Sequence, residues 1–318
     1  MSAPPAEGAR VTWRDVPQAV RTAIGRVCGA PVAEAWTQPG GFSPGVAARV
    51  RCADGTRWFV KAASAGLNPD TPRLHRQEAN VLAGLDELIA AGRLPVPRLR
   101  GTAERGPWFA LVLEDVAGRQ PVLPWQDGEL SLVLAALGHL AEALTPAPAS
   151  VRAPAVTDYL AADFTGWRTL AAAPVDDRID PWSRARLPEL AALEATWDAH
   201  TAGSTLLHAD LRADNLLLTG NSVMVVDWPH ACRGAAFIDL VLFAPSVAMQ
   251  GGPEPSALLA QARPGPAVSP PALAAVVCAL AGYFTKRSLQ PAPPGLPTVR
   301  RFQAAQGEVT RRWLATLL

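Results

Sequence analysis

Between residues 33 and 63 apolar and polar positions alternate, in "AEAWTQ", "VAARVRC" and "RWFVKAA". A period of two predicts three strands, and Asp54-Gly55 between the last two marks a hairpin. The period lengthens after Thr71-Pro72, a capping residue followed by a first-turn residue. Leu74, Val81, Leu82, Leu85, Leu88 and Ile89 then share one face of a predicted helix running to about Ala91. "PRLRGTA" and "WFALVLED" bring back the strand pattern. Beyond Gly118 helical patterns prevail, at 129–144, 156–172, 183–199, 269–288 and 298–317. The strand-like runs "NLLL" and "VMVVD" interrupt them. Proline-rich stretches at 146–154, 264–271 and 291–297 predict loops. The expected class is α+β: a small β-rich N-lobe with one main helix, residues 1–115, joined near Glu114–Gly118 to a larger, mostly helical C-lobe, residues 116–318.

Composition narrows the function. With 318 residues, 49% hydrophobic and 18% charged, and a net charge of +1, the chain can bury a sizeable core and lacks the basic excess of a nucleic-acid binder. The longest apolar run, "ALAAVVCALAGYF", is too short to cross a bilayer, and "MSAPPAEGARVTW" has no basic-then-apolar signal pattern. Cys28, Cys52, Cys232 and Cys278 are scattered without a CxxC pair, which speaks against a zinc site or a disulfide framework. A reduced, cytoplasmic setting is expected, with neither nucleic acid nor membrane as partner. Of 29 basic residues only Lys61 and Lys286 are lysines.

The candidate chemistry lies in "LLHADLRADNLLLTGNSVMVVDWPHA", Leu206–Ala231, where carboxylates and amides stand at the ends of apolar runs. A turn at Thr219-Gly220-Asn221-Ser222 folds these runs into a hairpin that brings Asn215 and Asp227 nearly opposite each other, with Cβ atoms ~5 Å apart. One amide oxygen and one carboxylate at that separation suit Mg²⁺, which takes its remaining oxygens from phosphate. Asp210, five residues before Asn215, is placed to receive a proton from a substrate hydroxyl. Glu78 falls within the apolar face of the predicted helix. An unpaired carboxylate there would cost several kcal/mol, so it calls for a cation, and Lys61 in "FVKAA" is the obvious one.

The pattern H-x-D-x-x-x-x-N followed by an Asp ending the next hairpin resembles the catalytic loop of kinases. "HADLRADN" with "VVDWPHA" resembles the aminoglycoside phosphotransferase branch, in which D-W replaces D-F-G. The resemblance extends over roughly residues 33–245. It implies a protein-kinase-like bilobal fold, Asp210 as the catalytic residue, and Asn215 and Asp227 as ligands of Mg²⁺. Lys61 would pair the α- and β-phosphates of ATP or GTP, with Glu78 as its partner. In "QPGGFSPG" the spacing is not G-x-G-x-x-G, yet backbone N–H groups at Gly40 and Gly41, together with Ser43, would cover the phosphates. Backbone groups of Glu114 and Val116 would hydrogen-bond the purine. His208 would orient the loop and Asp239 brace it, while His230 reads as a plain loop histidine.

Only twelve positions separate Asp227 from Asp239 and no A-P-E follows, leaving no room for a peptide-binding activation segment. A small-molecule acceptor is therefore expected. After residue 240 there are two acids, Glu254 and Glu308, against seven Lys and Arg; residues 158–198 carry eight acids against four Arg. A polycationic acceptor would want a carboxylate-lined cleft. The expected acceptor is a hydroxyl on a natural-product antibiotic of aminoglycoside, macrolide or nucleoside type, with polycationic aminoglycosides poor substrates. Choline, homoserine and fructosamine kinases are alternatives. A nucleotide-binding pseudokinase is another, but it would be signalled by loss of Lys61, Asp210, Asn215 or Asp227, and all four are present.

Overall fold

The computed structural model describes residue 4 and residues 11–38, 41–42, 44–262 and 268–318. In chain order the elements of the first part are α1 (Gln18–Cys28), β1 (Val32–Thr37), β2 (Val46–Cys52), β3 (Arg57–Ser64), α2 (Thr71–Ala90), β4 (Leu99–Arg105) and β5 (Trp108–Glu114). The strands form one antiparallel sheet in the order β1-β2-β3-β5-β4. β3 is central and pairs Lys61 with Ala47 on β2 and with Leu111 on β5.

The two faces of this sheet are covered differently. Val20, Ile24 and Cys28 of α1 pack with Val50, Val60 and Val112 in one apolar cluster. Leu82 and Leu85 of α2 pack with Phe109, Leu111 and Leu113 in a second, which continues through the rest of the protein. The sheet therefore carries two helices, not the one the sequence predicted. α2 starts at Thr71 with Pro72 in its first turn, but its leading N–H groups are capped by Asn68, whose Oδ1 accepts from Asp70 and Thr71 N–H at 3.0 Å each.

The remaining elements are α3 (Asp127–Ala143), α4 (Val156–Leu160), α5 (Gly166–Ala171), α6 (Pro181–Ala185), α7 (Leu187–Glu194), β6 (Thr205–Leu207), β7 (Leu216–Thr219), β8 (Ser222–Val225), β9 (Cys232–Gly234), α8 (Phe237–Met249), α9 (Pro255–Gln261), α10 (Pro270–Ser288) and α11 (Val299–Ala315). The pairs β6–β9 and β7–β8 are small two-stranded sheets set among helices. Together with the five-stranded sheet they complete a protein-kinase-like α+β fold. Among the described residues no helix is long and apolar enough to cross a membrane.

The helix expected over 156–172 is two short ones, and the break is explained by packing. A Cβ added to Gly166 would lie 2.0 Å from the carbonyl of Gly282, so α5 begins where two backbones touch. Glu194, fully buried, accepts from the N–H groups of Trp167 and Arg168 at 2.9 Å each and so satisfies the first turn of α5. A continuous helix would leave no room for this junction. Gly166→Ala is accordingly expected to destabilise the fold by ~1–3 kcal/mol or more through overpacking, measured by urea denaturation; an unchanged midpoint would contradict the close approach.

Candidate active site

The β7–β8 hairpin turns at Gly220-Asn221, with Leu216 opposite Val225 and Thr219 opposite Ser222. In that register Asn215 faces Val226, whose N–H donates to the Asn215 carbonyl at 2.9 Å. Asp227 thus lies one residue beyond the position directly across from Asn215. Its φ of 70° lies in the left-handed region, which Asp tolerates better than most residues. Lys61 Nζ donates to Asp227 Oδ1 at 2.7 Å and to both oxygens of Glu78 at 2.8 Å. One ammonium on β3 therefore ties the apolar face of α2 to the end of the hairpin. Glu78 is 1% exposed, a burial that this paired, hydrogen-bonded geometry can sustain.

The electrostatics of the trio follow from burial and pairing. Burial works against the Lys61 charge, but Asp227 and Glu78 outweigh it and raise the pKa. Burial also pushes Glu78 up, against the pull of Lys61. At Asp227 burial is outweighed by Lys61, with help from His230 and Arg212, and the carboxyl is held well below its ordinary range.

The loop between β6 and β7 is organised around His208, which is fully buried. Its Nε2 hydrogen-bonds the Val226 carbonyl at 3.0 Å, and its Nδ1 accepts from the Asp210 N–H at 3.2 Å. Those partners require the neutral ring protonated at Nε2. Burial agrees, pushing the His208 pKa down to about 4. Asp239, at the start of α8, accepts from the His208 and Ala209 N–H groups at 2.8 Å each. Ala209, at a φ of 60°, is held in the left-handed region by this grip. Asp210 then receives Arg212 Nη1 on both oxygens, at 2.8 and 3.0 Å, and Asn215 Nδ2 at 3.3 Å. Burial raises the pKa of Asp210 against the pull of Arg212. Arg212 also reaches Asp214, at 3.0 and 3.1 Å.

Two cavities meet at these groups. One, of about 380 Å³, is lined by Gly41, Ala47, Lys61, Glu78, Glu114, Val116, Asn215 and Asp227. Gly40 and Ser43 lie outside the described residues, while Gly41 has a φ of 77°. The other, of about 320 Å³, is lined by Asp210, Arg212, Tyr159, His230 and aromatic residues of α10 and α11. Asp227 lines both. His230 is held by Tyr159, whose hydroxyl bonds its Nδ1, and so faces the second cavity.

Sequence reasoning missed several lining residues. Phe59 stands two positions before Lys61 on β3, hence on the same face, and forms an apolar wall with Ala47, Leu217 and Val226. Its signal was the strand alternation itself. Arg49, Arg212 and Tyr159 carried none: their placement depends on which elements the fold brings together.

As a metal site the arrangement is sparse. Among the described residues no group of three or more His, Cys, Asp or Glu could hold an ion. Asn215 Nδ2 is tied to the Asp210 carbonyl at 2.8 Å, which leaves its Oδ1 free to ligate, and Asp227 engages Lys61 through Oδ1 alone. One amide oxygen and one carboxylate oxygen form a donor set suited to an ion that takes its other ligands from phosphate and water.

Comparison with known proteins places the chain and its fold. The phosphotransferase enzyme family model matches residues 39–271. No curated protein sequence matches the chain. Among solved structures, an aminoglycoside phosphotransferase from Alicyclobacillus acidocaldarius subsp. acidocaldarius DSM 446 is 16% identical, with a TM-score of 0.59 and 95% of each chain covered. A thermostable mutant of aminoglycoside phosphotransferase APH(4)-Ia, in ternary complex with ADP and hygromycin B, is 14% identical, with a TM-score of 0.62 over 94% of this chain and 99% of that one. Spectinomycin phosphotransferase APH(9)-Ia, in complex with ADP and spectinomycin, is 11% identical, with a TM-score of 0.52 over 89% and 90%. At such identities the likeness speaks for the fold, and it is the family match, across most of the sequence and through the whole His208–Asp227 constellation, that decides membership: the chain belongs to the phosphotransferase enzyme family.

Proposed function

We propose that the protein transfers the γ-phosphoryl group of ATP or GTP to a hydroxyl of a neutral or weakly charged small molecule, a natural-product antibiotic in type. The observation that carries this reading is the meeting of two cavities at Asp227, one bounded by Lys61 and the other by Asp210 and aromatic side chains. The purine is received against Phe59, Ala47, Leu217 and Val226, with Glu114 and Val116 at its edge. Lys61, fixed by Glu78, binds the α- and β-phosphates. Asn215 Oδ1 and Asp227 would hold Mg²⁺, which when bound neutralises charge on the β- and γ-phosphate oxygens. Asp210 orients the acceptor hydroxyl and takes its proton as the oxygen–phosphorus bond forms and the bond from phosphorus to the β-phosphate oxygen breaks. Its raised pKa strengthens it as a base relative to an exposed aspartate.

The character of the acceptor is argued from charge. The second cavity contains three carboxylates, and each has a cationic partner from this chain: Asp163 with Arg287 at 2.5 Å, Asp210 with Arg212 at 2.8 Å, and Asp227 with Lys61 at 2.7 Å. None is left over to offset the desolvation of a substrate ammonium group. Phe42, Tyr159, Phe164, Tyr283, Phe284 and Phe302 supply the cavity's aromatic walls, beside aliphatic residues and the polar His230 and Gln303. Gln306 joins them, 5% exposed, and its side-chain amide has no hydrogen-bond partner among the described residues. Aromatic faces with an uncommitted amide suit a hydroxylated ring system of low charge.

The test is a phosphorylation assay with ATP or GTP and Mg²⁺ against kanamycin-like, macrolide and nucleoside acceptors at several salt concentrations. Transfer to a neutral acceptor with little salt dependence is expected. Efficient, salt-sensitive transfer to the kanamycin-like compound would contradict the charge argument, and no transfer to any hydroxylated compound would contradict the reaction.

A further inference from the structure

The chain linking the five-stranded sheet to the helical part is pinned from an unusual side. Arg49, on β2, sends Nη2 to the carbonyl oxygen of Val116 at 2.9 Å. The same oxygen accepts from the Gly118 N–H at 2.9 Å. A carbonyl oxygen has two lone pairs, so both are filled. The Arg49 guanidinium is itself held in place, its Nε lying 3.3 Å from Asp115 Oδ1, while Arg57 donates to Asp115 Oδ2 at 3.0 Å. The Asp115 side chain is 6% exposed, against 27% for Arg49, so the carboxylate that holds the guanidinium is itself shielded from solvent. The Val116 N–H, by contrast, donates to no described residue. Both Arg49 and Val116 line the cavity assigned to the nucleotide.

We infer that Arg49 makes this site select adenine over guanine by occupying the Val116 carbonyl, an inference that rests on reading the cavity as a purine site. The two bases differ at the edge that would meet this segment. Adenine presents N1, an acceptor, flanked by the N6 amino group on one side and by C2–H on the other. With N1 on the Val116 N–H, C2–H falls toward the Val116 carbonyl and needs no acceptor. Guanine presents O6 as its acceptor, and the adjacent N1–H and N2 amino groups are both donors. With O6 on the same N–H, the guanine N1–H falls toward an oxygen that has no lone pair to give. Leaving a buried donor unpaired is the costly outcome, and it falls on guanine alone.

Isothermal titration calorimetry of the whole protein with Mg²⁺ and AMP-PNP or GMP-PNP tests this without an acceptor. Wild-type protein is expected to bind AMP-PNP about tenfold or more tightly than GMP-PNP. Arg49→Met keeps the length of the stem and removes the donors. It is expected to narrow the gap to about threefold or less through tighter GMP-PNP binding. Arg49→Lys, which keeps the charge and one donor on a stem about one bond shorter, is expected to retain part of the preference. Equal affinities in the wild type, or a preference for GMP-PNP, would overturn the inference even if Arg49→Met did not fold. So would an unchanged ratio in a folded Arg49→Met. Binding of neither analogue would instead overturn the reading of the cavity as a nucleotide site.

Discussion

Asp210→Ala is expected to lower phosphoryl transfer by ~10²–10⁴-fold while leaving nucleotide affinity nearly unchanged. The loss is large because Asp210 alone among the carboxylates of the loop lines the cavity proposed for the acceptor and approaches Asn215. The fold is expected to survive. Arg212, which loses two hydrogen bonds to Asp210, keeps two to Asp214 at 3.0 and 3.1 Å, so no buried cation is stranded. Single-turnover transfer to the acceptor identified by the panel, beside calorimetry with AMP-PNP, separates the two quantities. Turnover near the wild-type rate would remove Asp210 from the catalytic role.

Asp227→Asn is expected to abolish most of the gain in nucleotide affinity that Mg²⁺ provides, a change of about tenfold or more, or roughly 1.4 kcal/mol. Asn is the informative substitution because it tolerates the left-handed backbone at this position, where φ is 70°. The backbone is thereby kept and the charge removed. An amide is a weaker, neutral ligand, and it also weakens the 2.7 Å contact with Lys61. Titrations with and without Mg²⁺ would report the difference, and an undiminished metal-dependent gain would show that Asp227 is not a ligand.

The sequence showed most plainly what depends on local pattern. The alternation in β2 and β3 and the apolar stripe of α2 are each readable from a few residues. Glu78 on that stripe calls for a cation, and Lys61 lies 2.8 Å away. Other elements left no such mark. α8 is apolar nearly all round, with Phe237, Ile238, Val241, Phe243, Ala244 and Val247 all buried, so no face distinguishes it by period. The break between α4 and α5 depends on Gly282, more than a hundred residues away. The position of Asn215 relative to Asp227 depended on one residue of hairpin register, which turn residues alone do not fix. Arg49 resembled any exposed strand arginine until the fold laid it across Val116.

The grip of Asp239 on the loop that begins at His208 has a consequence for proton counting. Burial lowers His208 to about 4 and raises Asp239 to about 6. Unfolded, the same groups titrate near their ordinary values, about 6.5 and 3.9. Between about pH 4 and 6 the unfolded chain therefore holds a proton on the imidazole and the folded chain holds one on the carboxyl. For the histidine alone, whose folded pKa is depressed, stability would rise with pH across this interval. For the aspartate alone, whose folded pKa is raised, it would fall, and each slope is ~1.4 kcal/mol per pH unit. The two are opposite in sign and nearly equal, so between them these two groups exchange no net proton with solvent in this range. Two strongly perturbed groups, each acid- or base-sensitive by itself, thus cancel as a pair, and what pH dependence the loop keeps in this range comes from its other carboxylates, Asp210 among them.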